Sequence, residues 1–121
     1  MNLTDIIHYI APVIGFFTLA IGISAITKPE PMSKNFGIQA SGQTLPYVIS
    51  TGIRDVFIGL VMFILFFMQL WQVMAAVSLC IGLVAICDFI VVQKYGDKKT
   101  SLMHLGGAMA IITYGGWLLS L

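Results

Sequence analysis

Between Asp55 and Asp88 the chain runs 32 residues without a single charged side chain. A membrane-spanning helix needs about 20 apolar residues to cross a hydrocarbon core about 30 Å thick. The stretch is too long for one span and short for two. It predicts a hairpin of two helices whose far ends carry the bounding charges. The turn falls best at Gln69-Leu70-Trp71-Gln72, where amides and an indole suit the membrane interface. At 1.5 Å per residue, Asp55 lies about 20 Å from that turn along one helix and Asp88 about 22 Å along the other. Both carboxylates are thereby predicted at nearly one depth, inside the opposite membrane surface.

The rest of the chain reads the same way. It is 59% hydrophobic and 9% charged, with a mean hydropathy of +0.99, whereas soluble domains carry about 25% charged residues. The expected fold is all-α, an integral membrane bundle of four transmembrane helices forming a single membrane domain over residues 1–121. The spans are expected near 5–27, 46–69, 72–95 and 100–121, with 28–45 as the one long polar connection. Thr4 is the expected N-cap of the first span, Lys28-Pro29 its stop, and Pro46 the start of the second. No basic segment precedes the first span, and its apolar run exceeds a signal-peptide core, so it reads as retained.

Lys28, Lys34, Lys94, Lys98 and Lys99 all fall on the two connections at one end, and the opposite end has no Lys or Arg. The positive-inside rule makes those connections cytoplasmic and puts both termini on the non-cytoplasmic side. Arg54, Asp55, Asp88 and His104 gather toward the same end and are the candidate ligand-binding residues. With neutral His104 they sum to a formal charge of −1, which protonating either His104 or one aspartate balances. An intramembrane charge costs about 2.5–3.5 kcal/mol even on lenient scales, so pairing is required. Arg54 lies about 100° round the helix from Asp55, within reach of Asp88 or of a lipid headgroup.

Small residues give each span a face that lets helices approach closely. Gly52, Asp55 and Gly59 share one side, Ala75, Ser78, Gly82 and Asp88 another, His104, Gly107 and Gly115 a third, and Gly15 and Gly22 a fourth. Gly52, Gly59, Gly82 and Gly107 are the expected helix-packing residues. The same faces also allow a homodimer.

The order of "TKPEPMSKNFG", "GIRDVFIG", "CDFIVVQKYG" and "MH" resembles the domain of unknown function 4267 family of small four-helix membrane proteins, and the likeness spans most of the chain. The family pattern matches Pro29 or Pro31, Phe36 and Gly37, then Gly52, Arg54, Asp55 and Gly59, then Asp88 and His104. Members often carry His-His at the last position, where this chain has Met103-His104. The layout is also similar, more loosely, to DoxX-like membrane proteins. The resemblance implies a site and no chemistry.

Three function classes follow. One is a membrane protein whose polar site binds a small molecule or lipid, with Arg54 holding an anionic group. Another is a structural or accessory subunit whose charges only lock helix packing. The third is a small proton-coupled transporter, opposed by a first span with no ionisable group beyond Asp5 and His8. No nucleophile-plus-base pair, phosphate loop or cofactor fingerprint is present, so neither a reaction nor a cofactor is assigned. Asp55, Asp88 and His104 are metal-ligand types, but their dispersed spacing assigns no metal. A net charge of +1 without a basic run points away from nucleic acid and leaves the lipid bilayer as the expected partner. Cys80 and Cys87, two turns apart on one helix, cannot bridge each other and read as packing residues.

Overall fold

A computed structural model describes residues 2–121. Its elements are α1 (Leu3–Thr27), α2 (Pro29–Phe36), a single 3-10 turn (Gly42–Thr44), α3 (Leu45–Phe67), α4 (Trp71–Tyr95) and α5 (Lys98–Ser120). Helices α1, α3, α4 and α5 are each long and apolar enough to cross a membrane. Their outward faces carry exposed Phe16, Phe57, Phe67, Leu83 and Ile90, an apolar surface that suits hydrocarbon and not water. The chain is an all-α, multi-pass integral membrane protein.

The helix ends follow local chemistry. Asn2, not Thr4, caps α1: its side chain accepts from the Asp5 N–H at 2.9 Å, and the Asp5 carboxylate accepts from the Asn2 N–H at 3.3 Å. This reciprocal pair satisfies two orphan donors, which Thr4 inside the first turn does not do. Gln69 turns the chain between α3 and α4 with a positive φ of 57°. The polar connection is partly helical, because Pro29 is pre-set for a first helical position, and Glu30 and Lys34 sit at the ends that suit their charges.

The bundle is built as two tight antiparallel pairs, α1 with α3 and α4 with α5. A glycine spacing of seven residues recurs on both partners of the first pair. Gly15 meets Gly59, and Gly22 meets Gly52, so closely that a Cβ on Gly22 would stand 2.6 Å from the Gly52 carbonyl oxygen. In the second pair, Gly115 packs on Ala75 and Leu79, and Gly82 on Ile112. Gly52, Gly59 and Gly82 lie at these close approaches, the first two against α1. Gly107 does not pack: a Cβ there would meet nothing within 4 Å. Cys80 and Cys87 are exposed on the outer face of α4 and are not packing residues either.

The two pairs join at the end that holds the termini. Ile7, Ala11, Met62, Leu65, Met74, Ala75, Tyr114 and Leu118, drawn from all four long helices, form the closed core there. His8 stacks on Trp71 with ring centroids 3.8 Å apart beside it. Toward the other end the pairs diverge, and helices α3 and α4, though joined by a short turn, touch at few positions.

The two connections close over that divergence. Ser33, fully buried, donates to the Glu30 carbonyl at 2.6 Å and accepts from the Ala40 N–H at 2.9 Å, folding residues 37–40 back onto α2. The Gly37 carbonyl accepts from the Asp97 N–H at 2.8 Å, which ties the first connection to the second. Asp97 caps α5, and the Thr100 hydroxyl, with the Lys99 N–H, holds its carboxyl below the usual carboxylate range. Gly37 sits at φ 99°, and a Cβ there would meet Val92 at 2.6 Å and Thr100 at 3.0 Å. Gly37→Ala is therefore expected to cost about 2 kcal/mol, from a left-handed backbone and overpacking together. A thermal unfolding midpoint in detergent equal to that of the unaltered protein would refute this.

Candidate functional site

The divergence of the two pairs leaves a cavity of about 950 Å³ between them, with α2 and residues 38–40 above it. That is the upper end of the range for ligand pockets. Its deeper wall is apolar, from Ile14 on α1, Ile58 on α3, Ile81 on α4 and Ile111 on α5. Gly107 opens into this space. Measured along α1 from Thr27 to Ile14, the cavity reaches about 20 Å from the connection end.

Three charged side chains stand on one wall. The Arg54 guanidinium grips Asp88 across the α3–α4 divide through two parallel bonds, Nη1 to Oδ1 at 3.3 Å and Nη2 to Oδ2 at 3.1 Å. Bidentate forks of this kind are among the stronger side-chain hydrogen bonds. Nε and Nη2 also reach Asp55 Oδ1, both at 3.4 Å. One guanidinium thus joins two carboxylates, and the network keeps a formal charge of −1. Arg54 and Asp88 keep 37% and 30% of their side-chain surface exposed, and no charged side chain among the described residues is fully buried. The network lines open space and is not sealed in the protein interior.

His104 stands on the same cavity but in a different role from the expected one. Its Nε2 lies 3.0 Å from the Phe36 carbonyl oxygen. A carbonyl only accepts, so Nε2 carries a proton and donates. His104 makes no ion pair with Asp55 or Asp88 among the described residues. Of the four predicted residues, three form one network, and the fourth holds the end of α2 against α5. Among the described residues no group of three His, Cys, Asp or Glu side chains converges as metal ligands.

The motif residues fall inside one known family segment. A family model described as Domain of unknown function (DUF4267) matches residues 15–118. The chain belongs to this family. No curated protein and no solved structure matches it, and the looser likeness to DoxX-like proteins finds no support in these comparisons.

In this DUF4267 protein the matched segment holds Arg54, Asp55, Asp88 and His104 together with the first connection. The sequence reading missed what that connection does. Phe36 contributes a backbone carbonyl to His104, which no side-chain pattern reveals. Asn35 and Gln39 of that connection also line the cavity, with Tyr47 and Thr51 of α3, and only the Phe36-Gly37 pair marked the connection beforehand.

Proposed function

We propose that this protein is a membrane-embedded binding protein whose cavity takes a small amphipathic molecule or lipid, with Arg54, Asp55 and Asp88 as its polar wall. The observation that carries this reading is a cavity of about 950 Å³ that is apolar at depth and charged on one side. An ion pair kept only to lock helices would be packed shut, because unpaired or half-wetted charges gain little from their partners. Here Arg54 and Asp88 remain exposed to the open space. A structural role draws its support from the bidentate fork, which links the two helix pairs. The two roles are compatible in one network.

A depth within the bilayer is part of this reading, and it is supported by the position of the network on α3 and α4, both of spanning length. The lysines at the connection end support a cytoplasmic mouth and outward-facing termini. The homodimer reading loses its main support, since Gly15, Gly22, Gly52, Gly59, Gly82 and Gly115 are occupied within the chain.

Native mass spectrometry from mild detergent tests the reading and reports oligomeric state in the same spectrum. The unaltered protein is expected to carry an apolar adduct of lipid or metabolite size. Gly107→Leu, which fills the cavity where a side chain meets no neighbour, is expected to lose it. An adduct that survives Gly107→Leu unchanged, or no adduct at all, counts against a cavity ligand.

A further inference from the structure

The charge network has a sign and a carboxylate oxygen without a partner, and together they name the headgroup. Arg54 commits Nε, Nη1 and Nη2 to the two carboxylates. Asp88 uses both oxygens on the same guanidinium. Asp55 uses only Oδ1, which accepts from both Nε and Nη2. Its Oδ2 has no partner among the described residues, although the side chain is only 15% exposed and stands on the cavity wall.

Among the described residues no lysine lines the cavity, and its only charged lining residues are Arg54, Asp55 and Asp88. An anionic headgroup would meet a guanidinium with a single Nη1 N–H left over and a local excess of negative charge. A cation would meet a carboxylate oxygen with a free lone pair and would bring the local sum to zero. Charge-assisted hydrogen bonds of that kind are shorter and about twice as strong as neutral ones. His104 makes no ion pair with either carboxylate among the described residues, and its contact is with the Phe36 carbonyl.

Resting on the binding reading above, we propose that the cavity selects a cationic amphiphile: a protonated amine set against Asp55 Oδ2, with its apolar body among Ile14, Ile58, Ile81 and Ile111. This reverses the expectation that Arg54 holds an anionic group. Arg54 instead orients Asp55 and Asp88, and Asp55 is the residue that touches the ligand.

The test uses the full chain in nanodiscs of zwitterionic lipid and a dodecylamine carrying a diazirine in its chain. After irradiation, labelled peptides are expected on the α3, α4 and α5 walls of the cavity. Unlabelled dodecylamine is expected to compete about tenfold or more better than dodecanol or laurate. Asp55→Asn, which keeps the shape and removes the charge, is expected to bring the amine down to the level of the alcohol. If laurate or dodecanol competes as well as the amine, the cationic inference falls while the cavity reading stands. If no cavity peptide is labelled, the cavity reading falls with it. The headgroup ranking is measured on the unaltered protein, so it decides the question even if Asp55→Asn does not fold.

Discussion

Arg54→Ala is expected to destabilise the folded bundle by about 2 kcal/mol. Among the described residues the guanidinium is the sole side chain joined to both Asp55 and Asp88. Its removal leaves two carboxylates on facing helices with no countercharge and with like charges nearby. Breaking a fully buried pair costs about 3–5 kcal/mol, and solvent screening of an Arg54 side chain that is 37% exposed brings this site below that range. The loss is charge-specific, so adding Asp55→Asn and Asp88→Asn to Arg54→Ala should recover most of the stability. Unfolding in mixed micelles, followed by circular dichroism, measures both. A triple variant no better than Arg54→Ala would mean that the damage comes from lost packing of the arginine stem.

Gly52→Leu should cost at least as much, by a route that involves no charge. A Cβ on Gly52 would stand 2.7 Å from the Gly22 carbonyl oxygen and 2.9 Å from the Ala25 side chain. Backbone cannot step aside as a flexible side chain can, so α1 and α3 must separate along their length. Overpacking costs typically run about 1–3 kcal/mol, and a leucine in this seam sits at or above the top of that range. Gly107→Leu, two helices away, is the matched control and should leave the midpoint of unfolding unchanged or raise it, because leucine is the better helix former. Equal losses from the two substitutions would contradict the assignment of the seam.

Much of this architecture was legible beforehand, for identifiable reasons. The charge-free stretch between Asp55 and Asp88 set the hairpin and brought its two ends together, and Arg54 does link those two carboxylates. Helix pairing was not read, because a small-residue face suits any other small-residue face. The information was present: Gly15 and Gly22 have the same spacing as Gly52 and Gly59, and antiparallel helices with matched spacing can meet at both points. Gly107 resembled those residues in type and spacing yet faces open space. His104 was placed at the correct end, but its partner is a main-chain carbonyl from a segment read as a polar connection. Two prolines and a high polar content concealed the helix in that segment, since Pro29 and Pro31 both fit the first turn of a short helix.

The two glycine-lined seams also divide the chain in time. Each seam joins spans that are consecutive along the sequence, α1 with α3 and then α4 with α5. Synthesis proceeds from the N-terminus, and units generally fold in that order. The first half can therefore be inserted and zipped together before α5 leaves the ribosome. Neither half encloses anything by itself. The enclosed volume and the Arg54–Asp88 link arise only at the last step, when two finished hairpins meet, so a chain truncated before α5 would keep its N-terminal seam and have no cavity.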